Sequence, residues 1–110
     1  MNKPHYLYVI GKYTDLNGPC KLGISVNPDR RLKQLQTGQS ELLTVHHREE
    51  APADKVRLFE RLLHRDIHHL RLSGEWFDLT VEHAIQILQH TLIRYGDVDD
   101  LEEKMRCHRI

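Results

Sequence analysis

A run of strand formers near the N-terminus, Tyr6-Leu7-Tyr8-Val9-Ile10, is followed after a turn by a second, Cys20-Lys21-Leu22-Gly23-Ile24-Ser25. Aromatic and β-branched residues at this density favour a pleated chain over a helix. Between the runs, Asp15-Leu16-Asn17-Gly18-Pro19 is a turn signal. Asn-Gly accepts positive φ at little cost, and Pro19 stops continued pairing. The first quarter of the chain is therefore expected to be an antiparallel hairpin, onto which the rest must pack. Side chains alternate along a strand, so Tyr6 and Tyr8 share one face and Leu7 and Val9 the other.

Asn27-Pro28 reads as an N-cap followed by proline at the first helical position. The helix is expected to run to about Gln36, with Leu32 and Leu35 inward and Gly38 as its stop. Leu42 to Arg48 reads as a third strand. Pro52 opens a long helix, about Ala53 to Leu70, in which Val56, Phe59, Leu63, Ile67 and Leu70 recur at threes and fours. Ser73-Gly74 breaks it, and Trp76-Phe77-Asp78-Leu79 is a brief edge strand whose aromatics close the core. Thr80 caps a third helix to about Ile93, with Val81, Ala84, Ile85, Leu88 and Leu92 inward, and Tyr95-Gly96 ends it. The order β-β-α-β-α-β-α predicts the α/β (α+β) class: a small sandwich with a mostly antiparallel sheet of three to four strands and three helices. One domain over residues 1–96 and an acidic tail over 97–110 account for the chain.

Several classes are excluded. No apolar run approaches the roughly 18 residues a membrane span needs, and the N-terminus lacks a signal-peptide stretch. Cys20 and Cys107 alone make no disulfide framework, so cytoplasmic residence is expected. The formal net charge is zero, but it conceals a gradient. Lys21, Arg30, Arg31 and Lys33 stand against Asp29 alone, whereas the tail holds Asp97, Asp99, Asp100, Glu102 and Glu103. This could mark a phosphate-facing side, or equally a solvated helix face. Nine histidines would make the protein more cationic as pH falls toward 6.

Certain residues could carry chemistry. Tyr8 is either a packing residue with a wetted hydroxyl or a positioned phenol that orients or deprotonates water. A phenol is a poor base near neutrality, so it would need a neighbouring cation or metal. Lys21 supplies the cation if the hairpin register sets it opposite Tyr8, and when desolvated it could itself act as base. Its plainer role is a snorkelling edge-strand lysine. Gly23, two positions on and on the same face, leaves room for a ligand. Arg31, on the first helix, could bind phosphate and stabilise charge growing on it, whereas Arg30 reads as solvated. Gly23, Arg30 and Lys33 are the candidate substrate-binding residues.

Glu60 and His64 are four apart on the long helix and face the same way. Glu60 could hold Mg²⁺ with waters and substrate phosphate completing the shell, or pair with Arg57 or His64 as an ordinary helix acid. His64 and His68 have the spacing of a two-histidine zinc pair, without an evident third ligand. Glu75, ahead of Trp76, is left without a role.

Taken together, these residues resemble the GIY-YIG nuclease superfamily, especially its short phage and bacterial branch. Tyr6-Leu7-Tyr8 is similar to the first motif and Lys21-Leu22-Gly23 to the second. Arg31 stands eight residues after Gly23, and Glu60 takes the place of the metal-binding glutamate. The Glu60/His64 pairing and Gly74-Glu75-Trp76-Phe77 extend the likeness, which covers roughly Tyr6 to Leu79. It implies a DNA endonuclease with a β-β-α-β-α core and one Mg²⁺ or Mn²⁺ on Glu60. Tyr8, helped by Lys21, would activate water; Arg31 would stabilise the transition state; His64 would accompany Glu60. The chain departs from the pattern where Tyr6 replaces a glycine and Lys21 a tyrosine, leaving the base open between Tyr8 and Lys21. It also has no asparagine beyond Asn27. Sequence specificity would have to come from a homodimer, an accessory specificity protein or loop contacts. The competing expectations are a non-catalytic nucleic-acid-binding module on the same fold and a histidine-based zinc module.

Overall fold

A computed structural model describes residues 3–95; the acidic segment 97–110 lies outside them. The two N-terminal runs form strands β1 (His5–Lys12) and β2 (Cys20–Ser25), paired antiparallel. Asn27 caps helix α1 (Pro28–Gln36): its side chain accepts the Arg30 N–H, and Pro28 occupies the first turn. Strand β3 (Leu43–Ala51) pairs with the other edge of β1, with a bulge where Val9 meets His47 and Ile10 meets Val45.

Helix α2 (Val56–Asp66) is shorter than its hydrophobic periodicity predicts. Residues 52–55 form a turn, Lys55 N–H bonding the Pro52 carbonyl at 3.0 Å. At the far end the chain tightens into a 3₁₀ turn, His68–Leu70. The Leu70 carbonyl then accepts the Asp78 N–H at 2.8 Å, which draws the chain out of the helix and into a hairpin. That hairpin comprises β4 (Arg71–Ser73) and β5 (Trp76–Phe77), so the sheet has five strands where sequence predicts three to four. Thr80 caps α3 (Val81–Arg94), its hydroxyl accepting the His83 N–H.

The fold is the expected small α+β type, with an antiparallel sheet in the order β3-β1-β2-β5-β4. Strand alternation divides its side chains between two apolar layers. Leu7, Val9, Cys20, Leu22 and Phe77 enter the main core with Phe59, Leu62 and Leu63 of α2 and Ala84 and Leu88 of α3. Tyr8 and Ile10 face the other way, joining Leu43, Leu32, Leu35, Val45 and Trp76 beneath α1. Phe77 is fully buried and Trp76 only partly, so Phe77 closes the core while Trp76 keeps an open side. Among the described residues, no helix is long and apolar enough to cross a membrane.

Candidate functional site

Strand β2 pairs with β5 only at Cys20 and Lys21, so its outer edge runs free from Leu22 onward. An open strand edge presents N–H and C=O groups that need partners. Here the turn before β5 and the inner face of α2 supply them. Leu22 N–H donates to the Glu75 carbonyl at 3.1 Å, and His64 Nε2 donates to the Leu22 carbonyl at 2.8 Å. One helical turn earlier, the Glu60 carboxylate accepts the Ile24 N–H. The four-residue spacing seen in sequence thus fixes α2 along the β2 edge.

The register of β1 against β2 places Tyr8 opposite Gly23 and Lys21 opposite Ile10. Lys21 is therefore not directly across from Tyr8, as the simplest hairpin reading required; the two are diagonal. Glu75 bridges them. The Tyr8 hydroxyl donates to Glu75 Oε2 at 3.2 Å, and Lys21 Nζ stands 3.8 Å from that same oxygen. A Cβ on Gly23 would lie 2.6 Å from the Tyr8 hydroxyl and 2.7 Å from Glu75 Oε2. Such approaches are too close for any side chain, so glycine is required. The room left by Gly23 is filled by the chain's own phenol and carboxylate rather than held open for a ligand.

Glu75 is the residue that sequence reasoning missed. It sits on the two-residue turn Gly74-Glu75 joining β4 to β5, where Gly74 takes φ of +55°. Glycine at a positive φ is what such tight hairpins favour. The available signal was a Ser-Gly-Glu turn directly before an aromatic pair. It was obscured because Arg71–Ser73 read as the break after a helix ending at Leu70, not as a strand.

Arg31 reaches the site from the first turns of α1. Its guanidinium donates to the Tyr8 hydroxyl, which raises the arginine pKa further, and it also meets Gln34 Oε1 at 3.3 Å. Tyr8 is completely buried, and burial pushes its phenol up to about 12. Arg31 pulls that value down, and the negative Glu75 adds to the rise. Arg30 and Lys33 are exposed and, three apart, share the outer side of α1. They form a basic flank rather than part of the buried cluster.

Burial raises the Glu60 pKa above the ordinary carboxylate value; His64 opposes the shift and Glu75 reinforces it. Two carboxylates thus share one neighbourhood without full compensation, a situation a hard cation relieves. Oxygen donors of this kind, with waters and a phosphate, suit Mg²⁺ or Mn²⁺, so the residues present fit such an ion. The alternative zinc pair lacks its geometry. His68 lies beyond the end of α2 on the 3₁₀ turn, where its Nδ1 bonds the Arg65 carbonyl at 2.8 Å. No group of three or more His, Cys, Asp or Glu side chains among the described residues is arranged to hold a metal ion. His64, besides bonding Leu22, packs against Phe77 with ring centroids 5.1 Å apart.

Tyr8, Lys21, Arg31, Glu60 and Glu75 therefore gather around the open edge of β2, on a small antiparallel α+β domain. The match of a nuclease-related family model to this chain suggests a nuclease-like or nucleic-acid-related function. The chain belongs to the T5orf172 domain family, whose model matches residues 5–92 and so takes in the whole sheet. No curated protein and no solved structure matches it.

Proposed function

We propose that this protein is a small divalent-metal-dependent DNA endonuclease of the GIY-YIG kind. The observation that carries the reading is the gathering of a phenol, a lysine, an arginine and two carboxylates around one glycine. Each group has work to do in phosphodiester hydrolysis. Arg31 binds the scissile phosphate and offsets the charge that grows on it. Lys21, 3.8 Å from Glu75, pairs with that carboxylate and faces the phosphate with a second positive charge.

The raised Tyr8 pKa bears on the base. A phenol pushed up to about 12 is not a phenolate near neutrality, so it cannot simply take a proton. Its hydroxyl already donates to Glu75. Glu75, whose side chain is 30% exposed, therefore accepts a proton from the attacking water, and the buried Tyr8 hydroxyl orients that carboxylate through its hydrogen bond. The resulting hydroxide bonds to phosphorus, and the bond from phosphorus to the leaving oxygen breaks. Glu75, rather than Tyr8 or Lys21, is the base that meets water in this scheme. A Mg²⁺ or Mn²⁺ ion on Glu60 would supply Lewis acidity to the phosphate and the leaving oxygen. His64 holds the helix that carries Glu60 against the β2 edge.

The test is plasmid nicking in Mg²⁺ or Mn²⁺ by wild type beside Glu60→Ala, both shown folded by circular dichroism. Nicking by the wild type alone is expected. Equal activity in both would remove the reading. The departures at Tyr6 and Lys21, with zero net charge, favour a second reading, a non-catalytic DNA-binding module. It requires binding that weakens with salt, survives Glu60→Ala and is accompanied by no hydrolysis in either protein.

A further inference from the structure

Trp76 has two different sides. One packs on the layer of Tyr8, Ile10 and Leu43, and Lys21 Nζ stands 5.6 Å from its ring centroid. The other opens on a cavity of about 310 Å³ walled by Trp76, Leu43 and Pro19, with Gln39, Ser40 and Glu41 on the loop between α1 and β3. That volume lies at the small end of ligand pockets, roughly 300–1,000 Å³, and suits a single small ring. Glu41 is engaged by Lys12 at 3.2 Å. The Gln39 amide and Ser40 hydroxyl have no partner among the described residues, so both remain available to a ligand. Tyr13 and Leu42, next in sequence to Lys12 and Glu41, are 61% and 63% exposed and are tied together by a 2.8 Å backbone bond.

We infer that this cavity receives a nucleobase of the substrate, that of the nucleotide beside the scissile phosphate. The inference rests on the nuclease reading above. The same indole that walls the cavity lies 5.6 Å under Lys21 of the phosphate site, so a strand held there passes the cavity within about one nucleotide. An aromatic face stacks any base, while an unpaired amide and hydroxyl can bond its edge. A base within a duplex is stacked and paired, and must be extruded before it can enter. The substrate class that follows is DNA with an unpaired nucleotide next to the cleaved bond.

Trp76 is the only tryptophan in the chain, so the intrinsic tryptophan fluorescence comes from the wall of this cavity. The experiment titrates full-length Glu60→Ala, without metal, with a single-stranded oligodeoxynucleotide or with its blunt duplex. Anisotropy of end-labelled DNA follows binding in the same samples. Saturable quenching that tracks binding is expected, with the single strand bound at least about fivefold more tightly, as one base stack allows. Gln39→Ala with Ser40→Ala should weaken the single strand severalfold and leave the duplex unchanged. Binding without quenching, or equal quenching and affinity for both DNAs, would overturn the nucleobase site. That result would leave the nuclease reading to stand on plasmid nicking. Absence of binding to either DNA would likewise overturn the nucleobase site, with plasmid nicking by the wild type in metal still deciding the nuclease reading.

Discussion

A phenol pushed up to about 12 holds its proton across the physiological range, so the chemistry of Tyr8 depends on what surrounds it. Replacing it by phenylalanine keeps the ring in the layer under α1 and deletes only the hydroxyl between Arg31 and Glu75. Tyr8→Phe should lower cleavage at least about tenfold, because Glu75 loses the hydrogen bond that orients it. The stability cost near neutrality should be about 1–3 kcal/mol, that of the two hydrogen bonds the hydroxyl makes. A raised folded-state pKa also has a direction in pH. The stability it represents is complete below the unfolded value near 10 and is lost as pH rises toward 12. Denaturant melts at pH 8 and 11 should therefore show wild type losing its advantage over Tyr8→Phe at the higher pH; a constant difference would mean the phenol is not so shifted.

Glu75 makes a separate prediction at the same scale. Glu75→Gln can still accept from Tyr8 but cannot take up the transferred proton, so cleavage should fall at least about tenfold. It also removes a negative charge that raises the Glu60 pKa, so the acid limb of the remaining activity should move to lower pH. An unmoved limb would separate Glu75 from Glu60. Tyr8, Lys21, Arg31 and Glu60 were legible as a candidate set because their types and order are local facts. Their contacts were not. A turn of several residues leaves strand register undetermined, and register sets Gly23 rather than Lys21 opposite Tyr8.

Among the elements, the N-terminal hairpin, α1 and α3 carry their own boundary signals: an Asn-Gly-Pro turn, an Asn-Pro cap and a threonine cap. The β4–β5 hairpin does not. Its strands are only three and two residues long, and β4 is exposed throughout, so no apolar alternation marks it. Tertiary pairing with β2 and the bond from Asp78 to Leu70 decide the matter, and neither is visible locally. Helix α2 owes its position partly to His64, which bonds the free β2 edge and packs on Phe77. His64→Ala should cost about 1–3 kcal/mol, because the Leu22 carbonyl loses its partner and the ring leaves a gap. Amide exchange at Ile24 should quicken more than at Val9 in the sheet interior. Uniform acceleration across the sheet would mean His64 supports global stability rather than this edge.

For the whole molecule, the site is a region where folding and function pull in opposite directions. Burial and Glu75 raise the Glu60 pKa, so the folded state favours the protonated acid. The corresponding stability is fully present below the unfolded carboxylate value and is lost as pH rises through the folded one. At neutral pH an ionised Glu60 therefore costs the metal-free protein stability. Glu60→Gln removes the charge while keeping an oxygen that can accept the Ile24 N–H. The variant should melt above wild type without metal at pH 7, with the gap closing as pH is lowered. A divalent cation offsets the same cost by binding only the folded site, so Mn²⁺ should raise the melting temperature of wild type in a concentration-dependent way. It should leave Glu60→Gln unmoved. If the cation stabilises both proteins equally, it binds elsewhere; if Glu60→Gln melts lower without metal, the carboxylate supports the fold through its bond to β2 rather than burdening it.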